Sequence, residues 1–66
     1  MNVNPNINRF FVGADSGHDI DLLIVHKNGE RIDEIENFKA WCAKTTRPLR
    51  YPSVIEFMKE RYPSLL

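Results

Sequence analysis

Residues 20–36 read IDLLIVHKNGERIDEIE, and the parsing of this stretch decides the fold. Leu22-Leu23-Ile24-Val25 is an apolar run without polar alternation. A strand from Ile20 to His26 with both faces covered, central in its sheet, is the expected result. Asn28-Gly29 is the pair preferred in a two-residue hairpin turn, because both positions need φ > 0. The chain therefore turns back antiparallel over Glu30 to Ile32. That return is short, since Asp33 and Glu36, three residues apart, match a capping box and open a helix.

Working outward, Arg9 to Gly13 (RFFVG) is a β-prone run closed by glycine. ADSGHD follows as a loop, with Gly17 available for positive φ. The first eight residues hold four asparagines, one proline and no charged side chain. They offer no core face, and a flexible arm over 1–8 is expected. Beyond the hairpin, Ile35, Phe38, Trp41 and Cys42 fall on one helical face, and that helix should fade near Lys44. Ser53 with Glu56 makes a second capping box after Pro52. Val54, Phe57, Met58, Arg61 and Tyr62 follow at helical spacing, and Pro63 ends the helix at Tyr62. The expected architecture is α+β, in the order β-β-β-α-α. A three-stranded antiparallel sheet carries two helices on one face, as a single domain over 1–66. Phe38, Trp41 and Phe57 should share its core.

Sixty-six residues bury a smaller share of their surface than an ordinary domain does, so small folds usually need a staple. The single Cys42 excludes an internal disulfide, and no Cys/His cluster offers a zinc site. No cofactor is expected. Good packing, self-association as a homodimer or a larger partner must supply what is missing. The longest apolar run is too short to span a bilayer, and MNVNPNIN has neither the basic region nor the apolar core of a secretory signal. A reducing cytoplasm is the expected compartment. The net charge of zero is unevenly spread. Residues 1–36 carry three cations against seven carboxylates, a balance of −4, and residues 37–66 carry six against two, a balance of +4. Either the two halves attract each other, or they present an acidic and a basic face.

Residues 13–25, GADSGHDIDLLIV, bear on chemistry. They resemble the nucleotidyltransferase signature, in which a Gly-Ser turn precedes an Asp-hydrophobic-Asp strand. The resemblance implies that Asp19 and Asp21 hold a divalent metal and that the turn holds nucleotide phosphates. Residues i and i+2 of a strand do share a face, and hard oxygen ligands suit Mg²⁺. The resemblance covers thirteen residues, however, with Ala14 in place of serine, and the only later strand offers just Glu30 as a third carboxylate. The reading adopted is that Asp19 and Asp21 end a loop and solvate a strand terminus, with no catalytic and no metal residues. His18 and His26 lack a ligand spacing. Cys42 on an apolar helix is expected to be a small buried thiol.

The linker KTTRPLRYP offers Lys44, Arg47, Arg50 and Tyr51, followed by a helix N-terminus whose free N–H groups favour an anion. These four residues are the expected partner-binding site, with an acidic protein surface as partner. The function expected is a non-enzymatic protein-interaction module. In general character it is similar to small phage or mobile-element proteins that regulate or inhibit a host machine, such as RNA polymerase or a defence nuclease, in a bacterial cytoplasm. One alternative is a nucleic-acid-binding regulator using Lys44–Arg50. Another is a trimmed nucleotidyltransferase-like fragment.

Overall fold

The computed structural model describes residues 8–66, so all but the last residue of the expected arm lies outside the described residues. Three strands, β1 (Arg9–Ala14), β2 (Ile20–Lys27) and β3 (Glu30–Asp33), precede two helices, α1 (Ile35–Thr45) and α2 (Tyr51–Arg61). A single 3₁₀ turn, Pro63–Leu65, follows. The sheet is antiparallel in the order β1-β2-β3, with both helices on one face, as the sequence pattern requires.

The hairpin register follows from its turn. Asn28 (φ 55°) and Gly29 (φ 82°) both take the left-handed conformation, and Lys27 pairs with Glu30, Val25 with Ile32. The Asn28 N–H also donates to Asn8 Oδ1 at 3.1 Å, which ties the start of β1 to this turn. Leu23 and Val25 of β2 face the helices and are fully buried, with Phe10, Val12 and Ile32 beside them on the same face.

The β1–β2 ladder contains an irregularity that the sequence did not announce. Gly13 pairs with Leu22 but Ala14 pairs with Ile20, so Asp21 has no partner. This extra residue resets the two-residue alternation. Ile20 consequently reaches the core alongside Leu23 and Val25, although simple parity would place it opposite them. Full coverage of β2 does not occur: Leu22, on the face away from the helices, is 41% exposed. Ile24 on that face is nonetheless buried, between its cross-strand neighbours Phe11 and Asp33.

The positive φ in the β1–β2 loop belongs to His18 (67°), not to Gly17. The loop is organised by Asp15, whose Oδ1 accepts the N–H groups of Gly17 (2.9 Å) and Asp19 (3.0 Å), a side-chain turn that dictates the backbone.

Both helix starts differ from the expected capping boxes. Asp33 Oδ1 accepts the Ile35 N–H at 3.1 Å, but the residue flanking the helix is Glu34, and it makes no side-chain cap. Helix α2 begins at Tyr51, two residues before Ser53, because Pro52 fits the first turn without needing an N–H partner. Ser53 is thus buried inside the helix and does not cap it. Helix α1 ends at Thr46 in the left-handed conformation (φ 55°), unusual for a β-branched residue.

The helices bury Phe38, Cys42, Val54, Phe57, Met58 and Tyr62 against the sheet. Phe38 and Phe57 meet edge to face at 5.4 Å between ring centroids, Trp41 and Phe57 at 5.5 Å, so the three aromatics form one cluster with Trp41 at its rim.

Phe38→Ala should destabilise the fold by about 3–5 kcal/mol, a large share of what so small a domain has. Chemical denaturation should show the change, and a transition close to wild type would count against the packing. Thr46→Gly should instead stabilise by a few tenths to about 1 kcal/mol, by removing left-handed strain at a β-branched residue. A lowered denaturation midpoint would contradict that.

Candidate functional site

The linker between the helices is held to the body of the domain at four points. The Arg47 N–H donates to Cys42 O at 2.8 Å and closes the C-terminus of α1. The Cys42 thiol donates weakly to Pro48 O at 3.8 Å. Leu49 packs against the core, and its carbonyl accepts the Ile20 N–H at 2.7 Å, joining the linker to the start of β2. Within the linker itself, the Arg50 N–H turns back to Pro48 O at 2.9 Å. The segment is therefore an ordered loop built by its own backbone.

Its side chains divide into two groups. Arg50 faces Asp19, Nε to Oδ1 at 3.5 Å, with both side chains about half exposed, a pair worth little in stability. Lys44, Arg47 and Tyr51 project outward, Tyr51 with 54% of its surface exposed. The Arg47 guanidinium lies 4.8 Å over the Trp41 ring, whose indole N–H donates to Glu60 Oε1 at 3.3 Å. This ladder from α1 through the linker to α2 fixes the direction of Arg47. Trp41, expected only in the core, thus also belongs to the surface. Its place at the end of the apolar face, six residues before Arg47, was the available signal.

The α2 N-terminus is a poorer anion site than its position suggests. Pro52 has no N–H, and the N–H groups of Ser53 and Val54 turn back to Arg50 O at 3.0 and 3.3 Å. Of the three donors in this first turn, Tyr51 alone has no hydrogen bond among the described residues.

Asp19 and Asp21 do not form a strand-borne pair. Asp19 precedes β2 and meets Arg50, whereas Asp21 sits on the bulge, its Oδ1 3.7 Å from the point a Gly13 Cβ would occupy. Among the described residues no three His, Cys, Asp or Glu side chains stand together as a metal site. His26 packs edge to face on Phe11 at 5.3 Å. Burial raises the pKa of the Cys42 thiol, against a smaller opposing effect of the Arg47 charge, and keeps it protonated and unreactive.

The polar centre of the domain is a residue that sequence reasoning passed over. Glu34 is 1% exposed. Its carboxylate accepts hydrogen bonds from the Tyr62 hydroxyl, from Asn37 Nδ2 at 2.7 Å and from Arg61 Nη2 at 3.2 Å. Burial by itself would raise its pKa. The three hydrogen bonds and the Arg61 charge together outweigh that and hold it below the ordinary 4.5. Burial and the adjacent carboxylate raise the Tyr62 pKa, so the hydroxyl remains a donor.

Comparison of the chain with protein-family models, with curated proteins and with solved structures gives no match. The class defined here is a small α+β domain with an ordered basic-aromatic surface. No helix among the described residues is long and apolar enough to cross a membrane.

The Glu34 cluster generates a pH prediction. A carboxylate whose folded pKa is depressed stabilises fully above its unfolded pKa, and that contribution is lost as pH falls through the folded value. Stability should therefore decline below about pH 4.5, and Glu34→Gln should flatten that limb while lowering stability at neutral pH. Glu34→Ala should cost about 2–3 kcal/mol at pH 7, the scale of hydrogen bonds to a charged group. Urea melts from pH 3 to 7 on the three proteins check both statements. Parallel pH profiles for wild type and Glu34→Gln would refute the assignment.

Proposed function

We propose that this chain is a non-enzymatic protein-interaction module, docking through Lys44, Arg47 and Tyr51 on an acidic surface of a larger protein. The observation that carries the reading is the Arg47 guanidinium stacked on Trp41, in an ordered linker beside an exposed tyrosine. Arg, Trp and Tyr are the side chains in which binding energy concentrates at protein interfaces. A loop already held by four backbone or core contacts loses little freedom when it docks. Arg50 takes a supporting part, since Asp19 already occupies its guanidinium. The module regulates or inhibits its partner by occupying a surface, as small phage-type proteins do with a host polymerase or nuclease.

The test is a paired capture from bacterial lysate with wild type and a Lys44→Glu/Arg47→Glu variant, followed by calorimetry on the protein retained. Reversal at position 50 is avoided, because it would set two carboxylates against each other. The expected outcome is one stoichiometric acidic partner, lost in the variant and bound less tightly as salt rises. Equal affinity of the two proteins for that partner would sink the proposal. Salt-dependent binding of DNA or RNA through the same residues would replace it with the nucleic-acid reading.

A further inference from the structure

The sheet face turned away from the helices is also a surface without cover. Along β1 it presents Arg9, Phe11 and Gly13, along β2 Leu22, Ile24 and His26, and along β3 Arg31 and Asp33. Phe11 is 46% and Leu22 41% exposed, with the buried Ile24 beside them. Charge is ordered along the strands. Arg9 and Arg31 stand at one end, on either side of His26, with which both are in register. Asp21 lies at the other end, its carboxylate beside Gly13 on this same face. The Arg9 guanidinium rests 5.2 Å over the Phe11 ring, and His26 meets the edge of that ring.

We infer that this face binds a second copy of the same chain, sheet against sheet, with β1 and β2 antiparallel to their counterparts. The argument is charge complementarity under two-fold symmetry. A two-fold axis lying between the sheets, perpendicular to the strands and passing over Phe11, Ile24 and Asp33, carries the Arg9 end of each β1 onto the other copy's Asp21. Phe11 then meets Phe11 of the second copy, Ile24 meets Ile24, and Asp33, in register with both, meets Asp33 with the second copy's Arg31 two positions along the strand. Arg9 comes over Gly13 of the second copy, beside the Asp21 carboxylate. The axis parallel to the strands would instead set basic end on basic end. The polarity of the face thus selects one of the two symmetric packings. A single-stranded nucleic acid, the other occupant that Phe11 and three basic side chains suggest, would run against Asp21 and Asp33 on the same surface.

The patch is small. Three strands about 4.8 Å apart and six residues long at about 3.3 Å each give a footprint of roughly 15 by 20 Å. That lies in the range of weak, reversible interfaces, so the dimer dissociates on dilution. This surface is separate from the linker, and neither proposal depends on the other.

Sedimentation equilibrium on the purified chain between about 5 μM and 1 mM tests the inference, with circular dichroism confirming that each variant is folded. Wild type should pass from monomer to dimer across this range. Leu22→Glu, on the exposed face and outside the core, should remain monomeric throughout. Asp21→Arg should weaken association at least tenfold, and Arg9→Asp combined with Asp21→Arg should restore it, because the exchanged charges meet again across the axis. A wild type that stays monomeric to 1 mM would overturn the inference, as would a dimer indifferent to Leu22→Glu. Saturable binding of a single-stranded oligonucleotide that is lost in Phe11→Ala would overturn it in favour of nucleic acid.

Discussion

One carboxylate holds the layers of this domain together. Glu34 stands where β3 passes into α1, and its N–H donates to Leu23 O of β2 while its carbonyl accepts the Phe38 N–H that starts α1. Its side chain then reaches Tyr62 and Arg61 at the far end of α2. Sheet, first helix and second helix are thus joined through a single residue. A buried charge is tolerable only when paired and hydrogen-bonded, and here three donors meet that condition. Arg61 stays largely exposed, so only the carboxylate gives up its water. An apolar residue at position 34 would fill the space but could not orient Tyr62, which is buried at the end of the core.

The opposite end of the helical layer is closed by backbone. The Leu49 carbonyl on the Ile20 N–H fixes where α2 begins, and the Glu34 cluster fixes where it ends. Phe38, Phe57 and Met58 fill the interval between these two anchors. The linker is ordered because it is one of the anchors. Its outward side chains owe their position to the core beneath, through Leu49 and Trp41.

Elements specified by local chemistry were legible in the sequence, and those specified by distant partners were not. Asn28-Gly29 sets its hairpin because the turn's φ values allow few other residues, and both helical faces show in the spacing of Phe38, Cys42, Val54, Phe57 and Tyr62. Glu34 was hidden because its partners lie 27 and 28 residues away, and in isolation it looks like another acid beside a helix start. The bulge at Asp21 was hidden for a similar reason: the mismatch exists only between two strands, and neither strand shows it alone. Ser53 misled because its capping-box spacing was sound while Pro52 moved the helix start upstream. Of the candidate surface, Lys44, Arg47 and Tyr51 were visible as exposed basic and aromatic residues in a linker. The Asp19 partner of Arg50 and the Trp41 platform under Arg47 required the fold.

The asymmetry of charge between the two halves has a physical resolution in these contacts. If internal attraction accounted for it, the carboxylates of residues 1–36 would lie against the cations of residues 37–66. Among the described residues only two such pairs form, Arg50 with Asp19 and Arg61 with Glu34. Among the described residues Asp15, Asp21, Glu30, Asp33 and Glu36 pair with no cation, and neither do Lys39, Lys44 and Arg47; Lys59 pairs there only with Glu56 on its own helix. The imbalance is therefore carried to the surface. Because the acidic half forms the sheet with its loops and the basic half forms most of the helical layer, the sequence division becomes a spatial one. A surface field of this kind contributes little to the fold, since exposed charges interact weakly across water. Its effect is on encounters: the helical layer carries the excess of positive charge and the sheet with its loops the excess of negative charge.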